Sequence, residues 1–87
     1  MPKNFQNFRY RGVTFVFKVD PADSTMLHIY ARHLKQPSDA IQIWFGGVHS
    51  YNLDHKRFEA VLNGVRIYWF PIDVATDIIM IASCHSL

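Results

Sequence analysis

Polar and apolar residues alternate along several segments of the chain, and each alternation predicts a β-strand. The segment Phe8–Val19 is rich in aromatic and β-branched residues, and in it Val13, Phe15 and Phe17 alternate with Thr14, Val16 and Lys18, which is a strand pattern. The same pattern allows a short preceding strand over Phe5–Tyr10, joined through a turn at Arg11-Gly12. The segment Ile78–His85 predicts the last strand. Its first residues would place apolar side chains on both faces, which indicates a central position in the sheet.

The pair Asn63-Gly64 lies between two apolar runs and predicts a β-hairpin. Both residues tolerate positive φ, as a two-residue type I′ turn requires. That turn sets the register, and side chains then alternate between two faces. One face is apolar. The other, which we call the open face, carries Arg57, Glu59, Arg66, Tyr68 and Phe70. Ser83 and His85, which point to the more polar side of the last strand, are expected to lie on the open face as well.

Two helices are predicted between the first strands and the hairpin. Asp20 can cap the first, with Pro21 at its first position, and this helix should end before Pro37. Ser38 can cap a second, short helix, which Gly46-Gly47 ends. The polar segment 48–56 and the segment 71–77 are expected to be loops.

Together these elements predict one domain over residues 1–87, of the α+β class. Its order would be β-α-α-β-β-β: an antiparallel sheet of about four strands with two N-terminal helices packed on one face. With 87 residues, of which 49% are hydrophobic, the chain can build a core, so disorder is not expected.

Charge and cysteine content narrow the class of protein. The net charge of +2 allows a local anion-binding patch but lacks the strongly basic profile of a dedicated nucleic-acid binder. The single cysteine, Cys84, excludes an intramolecular disulfide and suits a reducing compartment. The first twelve residues lack the apolar run of a secretory signal, and no segment approaches the length of a membrane span. We therefore expect a cytoplasmic protein with no membrane partner.

The open face has the residue types that phosphate chemistry needs. Arginine forks onto phosphate oxygens, and glutamate, tyrosine or histidine can move protons. RNA carries its own nucleophile, the 2′-hydroxyl, so a ribonuclease needs these roles and no metal. The alternative is a solvated sheet face on which Glu59 is screened by two arginines. Tyr68 and Phe70 beside arginine favour base stacking or a partner surface instead.

Histidines offer further candidates. His28, Arg32 and Lys35 form a basic stripe that either contacts phosphates or is the wet side of an amphipathic helix. His33 lies in the apolar arc of the same helix, as a hydrogen-bonded core histidine or a catalytic one reaching the sheet edge. No close spacing of histidine and cysteine ligands is present, so no metal and no cofactor is expected.

Four stretches, FVFKVDPAD, YARHLKQPSDAI, KRFEAVLNGVRIYWF and DIIMIASCHS, carry a family resemblance over Phe15–Ser86. They resemble the BrnT-like branch of the RelE-type ribonuclease toxins, in the grouping with barnase and the colicin-type nucleases. The resemblance implies an RNA-cleaving toxin of plasmid or phage type with a small antitoxin partner. It places Arg32-His33 at the family's basic-His pair, Arg57 in its arginine strand and Ser83 in its last motif. The family's last arginine is Cys84 or His85 here, and its glycine after the helix histidine is Leu34.

Two hypotheses of different classes follow. The first is a metal-independent endoribonuclease with Arg57, Glu59, His33 and His85 as catalytic residues. Its RNA-binding residues would be Arg32, Arg66, Tyr68, Phe70 and Ser83. The second is a non-catalytic protein-binding module, such as a phage inhibitor or an immunity-type protein, that binds a target protein through the open face. A homodimer through the last strand or the open face is compatible with either.

Overall fold

The computed structural model describes residues 4–23 and 25–87 of the chain, which form six strands and two helices. In chain order these are β1 Phe5–Tyr10, β2 Val13–Lys18, α1 His28–His33, α2 Pro37–Gly46, β3 Val48–Asn52, β4 Arg57–Leu62, β5 Val65–Asp73 and β6 Ile78–Ser86.

All six strands belong to one mixed sheet in the order β1-β2-β6-β5-β4-β3. Neighbouring strands are antiparallel except for β2 and β6, which pair in parallel from Thr14↔Ile78 to Phe17↔Ile81. Strands make up 52% of the structure and helices 19%. The predicted fold, an antiparallel sheet of about four strands with two helices packed on one face, is therefore wrong.

The strand count rises for two local reasons. The turn at Arg11-Gly12 does form, with φ of 50° and 81°, so Phe5–Tyr10 is a full strand of a β1–β2 hairpin. The segment predicted as a loop after the helices contains β3, which pairs with β4 from Val48↔Val61 to Asn52↔Arg57. β3 is a polar edge strand, and pairing with β4 outweighs its loop-like composition.

The first helix is much shorter than predicted because Asp20 does not cap it. α1 begins at His28 after Leu27, and Leu27 itself pairs with Val19 in an isolated bridge. The Asp20 amide donates instead to the Met26 carbonyl at 2.9 Å, before the helix begins. α2 starts at Pro37, with Gln36 rather than Ser38 as its N-cap, and ends at Gly46 as predicted.

The β4–β5 hairpin has the predicted register. Asn63 and Gly64 have φ of 52° and 77°, as a type I′ turn requires. Pairs run from Leu62↔Val65 to Phe58↔Trp69. The face opposite the open face, which we call the covered face, supplies the core together with residues of both helices. The core side chains are Val13, Phe15, Phe17, Val19, Leu27, Ile29, Ala40, Ile43, Ala60, Ile67, Ile79, Ile81 and Cys84.

β6 lies at the centre of the sheet and pairs with β5 along its whole length but with β2 over only its first half. Its first half pairs with β2, which ends at Lys18, whereas its pairing with β5 continues to Ser86. Between these halves the register with β5 shifts, so that Tyr68 pairs with Ser83 and Trp69 with Ile81. This bulge keeps Ile81 and Cys84 on the covered face and Ser83 and His85 on the open face. None of the described helices is long and apolar enough to cross a membrane.

Two adjacent glycines after α2 provide a test of the packing of this helix on β4. A Cβ added at Gly47 would lie 2.5 Å from the Ile43 carbonyl oxygen and 2.8 Å from that of Val61. We expect Gly47→Ala to lower the free energy of unfolding by about 1–3 kcal/mol, because backbone must move to admit the methyl group. Urea unfolding followed by circular dichroism measures the change.

The neighbouring variant Gly46→Ala is the matched control. A Cβ at Gly46 meets only the Leu62 side chain, at an ordinary contact distance of 3.6 Å, and the residue is helical. Its stability should match or slightly exceed that of the wild type. Equal stabilities of the two variants would contradict the packing described here.

Candidate functional site

The open face holds a cluster of polar and aromatic side chains centred on Glu59. Arg57 Nε donates to Glu59 Oε2 at 3.1 Å, and Asn52 Nδ2 donates to the same oxygen at 3.0 Å. Arg66 Nη1 lies 3.9 Å from the other carboxylate oxygen. The Glu59 side chain is only 12% exposed, although no helix covers this position. The carboxylate is thus enclosed by its own neighbours on β3, β4 and β5.

Arg66 joins Glu59 to His85. Its Nε and Nη2 both lie 3.3 Å from His85 Nε2, while Ser83 Oγ lies 2.9 Å from His85 Nδ1. Arginine can only donate, so Nε2 is the acceptor. The neutral ring then carries its proton on Nδ1 and donates to Ser83. One guanidinium therefore has a carboxylate on one side and a neutral imidazole on the other.

Tyr68 belongs to the same cluster and contacts both Arg57 and His85. The Arg57 guanidinium carbon stands 3.5 Å from the Tyr68 ring centroid, and the Tyr68 and His85 rings meet edge to face at 4.9 Å. A guanidinium over a phenol ring is attracted by the negative face of the ring. We name this set the open-face cluster: Arg57, Glu59, Arg66, Tyr68, Ser83 and His85.

His33 reaches the cluster from the other side of the sheet edge. It is the last residue of α1, and its ring centroid lies 5.6 Å from that of His85. This approach is open because β2 has ended before β6 reaches His85. His33 is exposed, so it is not a core histidine, and it lies at the sheet edge.

The two groups that can move protons have their pKa values shifted in the same direction. The pKa of Glu59 is lowered, chiefly by the hydrogen bond from Asn52, with Arg57 and Arg66 adding to the effect. The pKa of His85 is lowered from 6.5, first by burial and then by the positive charges of Arg66, His33 and Arg57. At neutral pH the cluster therefore holds an ionised carboxylate and a neutral imidazole.

Cys84 is excluded as a nucleophile. It lies on the covered face with no exposed surface, and burial raises the pKa of its thiol to about 11. A thiol with so high a pKa supplies almost no thiolate at neutral pH. Within residues 4–23 and 25–87, no group of three metal-ligating side chains is present.

Not all the predicted site residues meet in the cluster. Arg32 projects from α1 towards Asp20, with its Nε 3.9 Å from Asp20 Oδ1, and is largely exposed. Phe70 lies on the open face in the next row of the sheet, opposite Met80. The other predicted residues, namely Arg57, Glu59, His33, His85, Arg66, Tyr68 and Ser83, are brought together.

Sequence reasoning missed Asn52. The polar composition of segment 48–56 predicts a loop, whereas Asn52 is the last residue of β3 and donates a hydrogen bond to Glu59 from the neighbouring strand. Val48, Ser50 and Asn52 share the open face with Glu59, but the segment VHSYN has no alternation of apolar and polar residues that would indicate a strand. The sequence predicts Asp20 as a helix cap, whereas Asp20 is a buried carboxylate 3.9 Å from both His28 and Arg32.

No family model, curated protein or solved structure matches the chain. The cluster offers two guanidiniums for an anion, a carboxylate that can accept a proton and an imidazole that can donate one once protonated. Its side chains cover one another, unlike a row of separately solvated charges.

The contact between Arg66 and His85 predicts a measurable titration. In the wild type we expect His85 to titrate below 6.5, because protonation costs more beside Arg66 and away from water. In Arg66→Gln its pKa should rise towards 6.5, since a positive charge and a donor to Nε2 are removed together. Proton NMR of the imidazole signals against pH measures both values.

Lys18→Gln is the matched control for this titration. It removes the same charge from an exposed side chain of β2 on the open face. The pKa of His85 should then stay at its wild-type value. An unshifted His85 in Arg66→Gln would show that the guanidinium does not act on the imidazole.

Proposed function

We propose that the protein is a small metal-independent endoribonuclease that uses the 2′-hydroxyl of RNA as its nucleophile. The observation that carries the proposal is the position of Arg66 between Glu59 and His85. A phosphate held by Arg66 would have a proton acceptor on one side and a proton donor on the other. In-line displacement at phosphorus requires this arrangement of base and acid on opposite sides.

The reaction needs only groups of the open-face cluster. Glu59 takes the proton of the 2′-hydroxyl as its oxygen attacks phosphorus. The bond from phosphorus to the 5′-oxygen breaks, and the leaving oxygen takes a proton from protonated His85. The products are a 2′,3′-cyclic phosphate and a free 5′-hydroxyl. Arg57 and Arg66 neutralise the negative charge that grows on the phosphate oxygens.

Other residues have supporting roles in this scheme. Ser83 bonds His85 Nδ1, which fixes the ring with Nε2 facing Arg66 and the substrate. Asn52 holds Glu59 ionised through its hydrogen bond to the carboxylate. His33 places a further imidazole beside His85 and can contact the RNA that enters from the α1 side. The resemblance to RelE-type toxins adds support from sequence pattern, with an antitoxin as the expected protein partner.

A non-catalytic protein-binding module is the second candidate. The observation that favours it is the outer edge of β3, which pairs with no further strand among the described residues, with Val48 78% exposed and Leu53, just beyond the strand, 80% exposed. An exposed edge of this kind pairs readily with a strand of another chain. In this case the open-face cluster would be a charged rim of an interface.

RNA cleavage by purified variants tests the first proposal. Wild-type protein in a chelator should cut single-stranded RNA and leave 2′,3′-cyclic phosphate ends, and RNA with 2′-deoxy sugars should resist. Glu59→Gln should lower kcat/KM by about 10²–10⁴-fold, because general-base catalysis is lost while the side chain keeps its shape. Gel analysis of a labelled oligonucleotide measures the rate.

The arginine variants separate phosphate binding from a general loss of charge. Arg57→Gln should lower cleavage and remove the growth inhibition expected on expression in bacteria. Arg11→Gln, a change of the same charge at the β1–β2 turn beside Phe45, should leave both unchanged. If the wild type is expressed without growth inhibition and leaves RNA uncut, the result would contradict the endoribonuclease and favour the protein-binding module.

The pH profile follows from the two lowered pKa values. Activity needs Glu59 ionised, so kcat/KM should rise through a pKa below 4.5. It also needs His85 protonated, so kcat/KM should fall again through a pKa below 6.5. The optimum is therefore acidic. A profile that keeps rising above 6.5 would show that His85 is not the acid.

A further inference from the structure

The open face continues beyond the cluster as an apolar row. In the register of the sheet, Phe70 lies opposite Met80, Met80 opposite Val16, and Val16 opposite Asn7. We call Phe70, Met80 and Val16 the shelf. It lies one row, about 6.6 Å along the strands, from Tyr68 and Ser83 of the cluster.

The shelf is apolar although neither helix packs on its face of the sheet. Phe70 is 38% exposed, Met80 is partly buried and Val16 is 8% exposed. The ring of Phe70 and the thioether of Met80, on adjacent strands, form the accessible part of this row, and the buried Val16 packs beside them on the third strand. Aromatic and methionine side chains of this kind contact the flat faces of other rings.

Around the shelf, the four positive charges of Arg57, Arg66, Arg9 and Lys18 outnumber the two negative charges of Glu59 and Asp73. Arg57 and Arg66 lie in the cluster on one side, and Arg9 and Lys18 lie on β1 and β2 in the rows that flank Val16. The carboxylate at the far end of the face, Asp73, accepts a hydrogen bond from the Ala75 amide in the turn. The charges thus complement a ligand that is anionic along its length and carries flat apolar rings, which describes single-stranded RNA.

We propose that the shelf binds the nucleobase next to the scissile phosphate, with the base stacked on Phe70 and against Met80. This inference rests on the proposed function, since the cluster fixes where the phosphate lies. Stacking accepts every base, so the shelf would select single-stranded RNA over duplex, whose bases are already stacked. Phe70 is then a binding residue and not a catalytic one.

Methionine methyl groups give a direct test. The chain has three methionines, and Met26 lies before α1, against the covered side of the sheet beside Phe8, so it serves as an internal reference. Protein labelled with ¹³C in the methionine methyl groups is titrated with the 2′-deoxy dinucleotide of adenine, which lacks the nucleophile and stays uncut. Met80→Leu assigns the signal.

We expect the Met80 methyl signal to move upfield and saturate with the dinucleotide, because a stacked base shifts nearby protons by its ring current. The Met26 signal should not move. Ribose 5-phosphate, which has no base, should move the His85 imidazole signals and leave Met80 unchanged. Phe70→Leu should weaken dinucleotide binding at least about tenfold, since loss of one stacked base is worth that much.

Phe45→Leu is the matched control, because Phe45 has nearly the same exposure, 39%, but lies on α2 over the covered face. A Met80 signal that stays fixed while His85 responds would overturn the shelf and leave the ribonuclease proposal intact. A Met80 shift together with uncut RNA would keep the shelf and overturn the ribonuclease. No response of either residue would overturn nucleic-acid binding by the open face altogether.

Discussion

The parallel pairing of β2 with β6 is the constraint on which the rest of the structure depends. It joins the N-terminal hairpin to the four C-terminal strands and sets β6 at the centre of the sheet. Phe15 and Phe17 of β2 and Ile79 and Ile81 of β6 are all buried at this junction. Burial of these side chains offsets the entropy of closing a long loop between strands that are far apart in sequence.

The point at which this pairing stops positions the candidate site. β2 ends at Lys18, while β6 continues to Ser86 against β5 alone. α1 packs near the part of β6 that no longer pairs with β2. The last residue of α1, His33, therefore lies beside His85. The register shift between β5 and β6 leaves one extra residue, Ala82, on β6. As a result Cys84 stays in the core while Ser83 and His85 lie on the open face. The site thus depends on an irregularity in the central strand.

The open-face cluster shows how a sheet surface can hold charges close together without a helix to cover them. Glu59, Arg57, Arg66 and Tyr68 lie on two strands whose register is set by one two-residue turn. Cross-strand neighbours at this spacing contact one another directly. The hydrogen bond from Asn52 and the charges of Arg57 and Arg66 lower the pKa of Glu59, whereas burial and the nearby positive charges lower the pKa of His85.

The sequence by itself determined the local features. Asn63-Gly64 dictates its turn, and the alternation that follows assigned Arg57, Glu59, Arg66, Tyr68 and Phe70 to one face. These are short-range effects of backbone sterics and side-chain period. The tertiary structure decided what depends on contacts between distant segments: the parallel pairing of β2 and β6, the strand β3 that brings Asn52 to Glu59, and the early end of β2 that admits His33. At these places the free energy of pairing between strands outweighs the local conformational propensity. That free energy depends on distant segments, so the local residue pattern does not reveal it.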